Sequence, residues 1–229
     1  PWFEPKLDVR PLPDWETLPY DVLSPQEELV SERLEALYRL TAPTGGADVL
    51  LTSAVTASQR LSPVSYIGAN TFFFHQGEQI SLTTLQKRLA AAGYANVKQV
   101  LAAGEFAVRG SIVDVFPMGS ERPFRLDFFD DEIESIRWFD VDTQRSMESA
   151  EEIRLLPGHE FPVDPEALLA FRQRWRREFA GDPKKSIVYC DIEKEILPPG
   201  IEYYLPLFFD ETAALTDYLP PNARVFLLG

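Results

Sequence analysis

The sequence predicts an α/β chain whose middle is an α+β segment built on an antiparallel sheet. Three observations predict it. A helix pattern followed by the apolar run of Asp48 to Thr52 opens the chain as an α/β layer does. Between residues 68 and 157, three strand-like runs are joined by short polar links. After residue 158 the pattern turns helical and aromatic. The expected divisions are therefore 1–67, 68–157 and 158–229.

The start holds Pro1, Pro5, Pro11, Pro13, Pro19 and Pro25 and should be extended and irregular, because proline fixes φ and constrains the residue before it. Ser24 and Pro25 read as the cap and first position of a helix, with Glu27 and Glu28 in its first turn. Leu29, Arg33, Leu34, Leu37 and Leu40 follow at near-helical spacing, and the helix should run to about Arg39, before a turn at Thr44-Gly45-Gly46. Asp48 to Thr52, with Val49, Leu50 and Leu51 in succession, reads as a strand buried on both faces.

Ser81 with Leu82, Leu85 and Leu89 begins a second helix that stops at Gly93. Phe106–Phe116, Phe124–Phe129 and Ile133–Phe139 then read as strands. Their links, Pro117 to Pro123 and the pair Asp130-Asp131, are short enough for an antiparallel meander. Alternation puts Phe124, Leu126 and Phe128 on one face and Arg125, Asp127 and Phe129 on the other. In the simplest register Arg109, Ser111, Val113 and Val115 share that second face, which makes Arg109, Arg125 and Phe129 neighbours. Asp164 should cap a helix through Pro165, Glu166, Phe171, Trp175 and Phe179 that ends by Gly181. Pro198-Pro199-Gly200 reads as a turn, and Arg224 to Leu228 as a strand.

Composition narrows function. Against 36 acidic residues stand 22 Lys or Arg, a formal charge of −14, which argues against a surface that grips phosphates. The 45% hydrophobic share is enough for a packed core. No run approaches the roughly 20 apolar residues of a membrane span, and no signal segment opens the chain, so a soluble intracellular protein is expected. The start at Pro1 rather than Met is expected of a piece of something longer. Cys190 stands alone, and one cysteine with two histidines makes a poor zinc set. No G-x-x-x-x-G-K-[ST] string is present, so the piece should not hydrolyse ATP by itself.

The acids Asp127, Asp130, Asp131, Glu132 and Glu134 are of the type that holds Mg²⁺, but they read better as a solvated hairpin, and next as a partner contact. His75 and His159 lie in no nucleophile motif and read as structural or surface residues. What remains is the face of Arg109, Arg125 and Phe129, since arginine and aromatic side chains carry much interface energy. The competing reading packs Phe129 against the helix near Ser81 and pairs both arginines with Asp127 and Glu134.

Gly104-Glu105-Phe106-Ala107-Val108-Arg109-Gly110, Ile112 to Pro117 and Arg125 to Glu132 together resemble domain 2 of the UvrB family of bacterial excision-repair proteins. That family includes the helicase UvrB and the transcription-repair coupling factors. The likeness continues through Phe139 to Arg145, Leu155 to Pro157, His159 to Pro162, Gly200 to Tyr204 and Leu219 to Pro221. Only Val22-Leu23 separate Tyr20-Asp21 from Ser24-Pro25, where a UvrB pattern carries a long aromatic hairpin that clamps damaged DNA. The chain therefore looks more like the coupling factors. Leu228-Gly229 stand where a UvrB-like chain places Asp-Glu for phosphoryl transfer.

The resemblance implies a degenerate RecA-like, UvrB-like layer: domain 1a over 1–67, inserted domain 2 over 68–157, and domain 1b with a return strand over 158–229. It implies UvrA as the partner, bound through Arg109, Arg125 and Phe129 with Asp127 beside them. Ala107 departs from the family, which has another arginine there. It implies no cofactor in this piece, with ATP and Mg²⁺ used elsewhere in the full-length protein. RNA polymerase and DNA would be met only by parts outside the chain, a C-terminal domain would mask the UvrA face, and the setting would be the bacterial cytoplasm. Two rival functions are a UvrB-like fragment that handles damaged DNA and a metal-dependent phosphodiesterase using Asp127 to Glu132.

Overall fold

A computed structural model describes residues 6–20, 22–41 and 46–228. Pro1, Pro5, Asp21, the Thr44-Gly45 part of the predicted turn and Gly229 lie outside the described residues. The chain begins with β1 (Val9–Leu12), α1 (Glu27–Leu40) and β2 (Val49–Thr52), and the two strands pair in parallel. Helix α1 starts later than the cap signal at Ser24 predicts. Gln26 holds the cap position without a side-chain bond. The Ser24 hydroxyl is occupied elsewhere: it donates to Glu202 Oε2 at 3.1 Å and accepts from the Gly200 amide at 3.1 Å. A capping hydroxyl accepts from a first-turn amide, and here the Ser24 oxygen accepts from Gly200 instead, so this long-range tie holds it away from the helix end.

One side of α1 buries Ser31, Arg33, Leu34, Ala36 and Leu37. The Arg33 guanidinium is fully enclosed and meets Glu160 through Nε at 2.5 Å and through a terminal nitrogen at 3.2 Å. It also donates to the Pro13 carbonyl at 2.8 Å, while Trp15 Nε1 donates to Glu160 Oε1 at 3.2 Å. Pairing, with a hydrogen bond at each of the three guanidinium nitrogens, is what makes such a burial tolerable. Strand β2, expected to be covered on both faces, is not. Val49 is 39% and Leu51 59% exposed, because β1 and β2 form a sheet of two strands, too small for a layer on each side.

Two short helices, α2 (Ala54–Ala57) and α3 (Val64–Ala69), lead to β3 (Phe72–His75) and α4 (Leu82–Ala91). Ser81 caps α4 as predicted, accepting from Thr84 N at 3.2 Å, and the helix gives out just before Gly93 at φ +89°. Then come β4 (Ala95–Asn96), β5 (Glu105–Arg109), β6 (Ile112–Val115), β7 (Phe124–Phe129), β8 (Glu132–Phe139) and β9 (Ser146–Ala150), paired in that order in one sheet. All its pairings are antiparallel except β4 with β5. Strand β10 (Glu152–Leu155) returns to pair with β3.

The predicted strand over 106–116 is in fact a hairpin. Arg109 faces Ile112 across the two-residue turn Gly110-Ser111, with Gly110 at φ +62°, a conformation glycine reaches without steric cost. The reversal changes which residues share a face. Val113 and Val115 turn into the core, and Ile112 and Asp114 lie on the side of Arg109 and Arg125. The core side, with Phe106, Val113, Leu126, Phe128 and Ile136, joins Leu85 and Leu89 of α4 and Leu34 and Leu37 of α1 in one cluster.

The remainder holds α5 (Pro165–Glu178), α6 (Ile187–Glu193) and α7 (Leu215–Tyr218). Asp164 caps α5, accepting from the Glu166 and Ala167 amides at 3.0 Å each. A second aromatic cluster forms here around Phe161, Phe171, Trp175, Tyr189 and Phe208. The predicted strand at Arg224 to Leu228 does not form. Val225 to Leu228 are 73–92% exposed and pair with no strand among the described residues. The whole is a mixed α/β structure with antiparallel sheets. Among the described residues, no helix is long and apolar enough to cross a membrane.

Candidate protein-docking face

The side of the six-stranded sheet turned away from the core carries two rows of side chains. One row runs Ala107, Asp114, Arg125, Arg137 and Ser149 across successive strands; the next runs Arg109, Ile112, Asp127 and Ser135. Phe129 stands on the same side at the end of β7, ~13 Å along the strand from Arg125. Two neighbours show the alternation plainly: Phe128 is 6% exposed and Phe129 69%. Phe129 therefore does not pack against α4, the alternative considered above, because it points off the opposite side of the sheet from that helix.

Both arginines pair, but with neither Asp127 nor Glu134. Their shared partner is Asp114, whose side chain is fully buried. Arg125 grips it in a fork, Nε to Oδ1 at 2.6 Å and a terminal nitrogen to Oδ2 at 3.0 Å, and Arg109 donates to the same Oδ2. Asp127 instead accepts from the Ser135 hydroxyl at 2.9 Å, its neighbour in register.

The turn before β9 closes the network from the other side. The Gln144 carbonyl accepts from Arg125 at 3.1 Å, its side-chain oxygen accepts from Arg109 at 3.3 Å, and its amide nitrogen donates to the Val141 carbonyl at 2.8 Å. The Arg125 guanidinium lies 5.0 Å from the Phe139 ring centre, over a small apolar cluster of Val100, Ala107 and Phe139. The hydrogen bonds to Asp114 raise the Arg125 pKa above its ordinary value.

A guanidinium offers five N–H donors. Arg125 commits Nε and both terminal nitrogens to Asp114, Gln144 and Ser146, and its side chain is 15% exposed. Arg109 commits a single terminal nitrogen and is 48% exposed, so most of its donors face outward. Arg137, opposite Arg125 on β8, is exposed, and its side chain makes no hydrogen bond or ion pair within the described residues. The face thus sets three guanidinium groups around the carboxylates of Asp114 and Asp127, with Glu105 at the far end of β5 and Glu132 opposite the one exposed ring at its edge. That arrangement fits an acidic protein surface with an apolar recess.

Of the four residues singled out in the sequence, all lie on this one side: Arg109, Arg125, Asp127 and Phe129. The sequence reading missed Asp114, Gln144 and Arg137. A signal for Asp114 was present, since an acid inside the apolar run Ile112-Val113-Asp114-Val115-Phe116 must be paired if it is buried. His75 is exposed, with Glu152 at 3.4 Å, whereas burial holds the His159 pKa down at about 4. Among the described residues, no group of three or more His, Cys, Asp or Glu side chains is placed to hold a metal ion.

Comparison with known proteins places this sheet in a class. Residues 72–161 match the UvrB interaction domain family, and the six-stranded sheet with the face just described lies within that stretch. The chain as a whole is homologous to part of the transcription-repair-coupling factors. It is 49% identical to that of Haemophilus influenzae over 93% of the chain and 18% of the relative. With the Escherichia coli protein the identity is 47%, over 96% and 19% respectively. The Bacillus subtilis protein is 32% identical, over 87% and 18%. The chain therefore spans about a fifth of the length of these relatives.

Proposed function

We propose that this chain is a non-catalytic adaptor module that binds UvrA through the outer face of its six-stranded sheet. In the full-length protein it would bring excision repair to RNA polymerase stalled at DNA damage. The observation that carries the reading is the joint display of Arg109 and Phe129 on one open sheet face, with Arg125 fixed beside Arg109. Arg109 and Arg137 supply outward donors for carboxylates of the partner, Arg125 and Asp127 frame them, and Phe129 fills an apolar recess. Membership of residues 72–161 in the UvrB interaction domain family supports UvrA as that partner.

The remaining architecture is read in the same frame. Residues 1–67 and 158–229 are domains 1a and 1b of a degenerate RecA-like layer, and 68–157 is the inserted domain 2. ATP and Mg²⁺ chemistry, polymerase contact and DNA translocation fall to parts of the full-length protein outside this chain. A C-terminal domain there covers the same face until the motor engages.

The test is binding of purified UvrA to the chain by calorimetry, with Arg125→Glu and Phe129→Ala as comparisons. Truncating a central interface contact typically costs about 2 kcal/mol or more, so each variant should bind at least ~30-fold more weakly. Unchanged affinity in both would remove the face from the function.

A further inference from the structure

We propose that Asp114 is a positioning residue for partner binding: a buried carboxylate that holds the Arg109 and Arg125 guanidinium groups in the posture the partner meets. The inference rests on the UvrA-docking reading above and deepens it. Asp114 cannot itself touch a partner, because its side chain has no solvent exposure. It lies in the middle of β6, directly between Ala107 on β5 and Arg125 on β7, and accepts from both arginines. A lone carboxylate in that position would be costly, so its neighbours must be cationic and must approach in a fixed geometry.

The consequence for the surface follows from the geometry and the charges. Free arginine side chains lose much rotamer freedom when a partner captures them. Here the loss has already been taken in folding. Arg125 is held on one edge by Asp114, on another by the Gln144 carbonyl and the Ser146 hydroxyl at 3.2 Å, and over the Phe139 ring. Arg109 is held at one terminal nitrogen only, which fixes its direction and leaves its other donors outward. With Asp127 counted, the two arginines and two acids balance and Arg137 beside them tips the cluster positive, so the posture favours an acidic group opposite. Ala107 matters too: it is small and buried against Asp114 in register, which leaves both carboxylate oxygens to Arg109 and Arg125. The two arginines thus have different parts, Arg109 as a direct contact and Arg125 largely as scaffold.

Asp114→Asn tests this, since it keeps the shape and removes the charge. UvrA affinity should fall about tenfold or more, the effect of losing charge-assisted hydrogen bonds. In an Arg109→Ala/Arg125→Ala background the same substitution should change affinity little, because the groups it positions are gone. An equal loss in that background would mean a general structural effect and would overturn the proposal. Unchanged affinity in Asp114→Asn, with Arg125→Glu still impaired, would overturn the proposal and leave the docking reading intact. Unchanged affinity in Arg125→Glu and Phe129→Ala would overturn the docking reading itself and the proposal with it. Should Asp114→Asn fail to fold, NMR on the unmodified chain decides. The Arg125 Nε–H should give a resolved, slowly exchanging resonance, and rapid exchange with water would overturn the clamp.

Discussion

Phe128 and Phe129 are the same residue type one position apart, and the sheet assigns them opposite tasks. Phe128→Ala should cost about 3–5 kcal/mol of stability, as expected for emptying an aromatic site in a packed core. Phe129→Ala should leave stability within ~0.5 kcal/mol of the unmodified chain, since its ring is 69% exposed. Urea unfolding of the two variants side by side checks both, and a large loss for Phe129→Ala would mean the ring is structural. At the same scale, Glu160→Leu should be among the most damaging single changes. It strands the enclosed Arg33 guanidinium and deprives Trp15 Nε1 of its acceptor, a loss of about 3–5 kcal/mol. A midpoint close to that of the unmodified chain would contradict this.

Elements add two further expectations. Asp164 satisfies two otherwise orphan amides at the start of α5, and Asp164→Ala should cost about 1 kcal/mol, read by thermal unfolding. His159, in the segment between β10 and α5, should make stability depend on pH. Its folded pKa is held at about 4 by burial, against an ordinary value of 6.5. The unfolded chain therefore binds a proton first as pH falls, so this contribution is complete above 6.5 and is lost progressively from 6.5 toward 4. Glu27 and Glu202, which line the same cavity, have pKa values raised by burial and act in the opposite sense. The proper measure is thus the difference between the unmodified chain and His159→Gln. Parallel melting-temperature curves for the two across that range would refute the role given to His159.

For the molecule as a whole, charge decides what it avoids. With a formal −14 spread over 229 residues, the chain should not bind duplex DNA more tightly than ~10⁻⁴ M at physiological salt, because counterion release needs clustered cations. Fluorescence anisotropy with a labelled duplex checks it, and micromolar affinity would favour the DNA-handling alternative. On the outer face of the sheet Arg109, Arg125 and Arg137 are gathered around Asp114 and Asp127, a local cluster in which cations outnumber acids, so a protein surface can be attracted there where a phosphate backbone is generally repelled.

The sequence by itself determined the local elements and their alternation. The caps at Ser81 and Asp164, the meander after residue 105 and the common side of Arg125, Asp127 and Phe129 follow from spacing, because period and capping are properties of neighbouring residues, whereas Arg109 reaches that side only through the reversal at Gly110-Ser111. Where distant segments compete for the same group, only the tertiary structure decided. Ser24 is a good helix cap by composition, yet it serves Gly200 and Glu202 instead. Val49 to Thr52 looks like a covered strand, and Arg224 to Leu228 like a paired one, yet cover and pairing depend on strands that no local pattern supplies. The turn at Gly110-Ser111 lay inside one apolar run, and that reversal placed Asp114 beneath both arginines. A strand's alternation fixes which way a side chain points; which charge waits for it there is set by how the strands are paired.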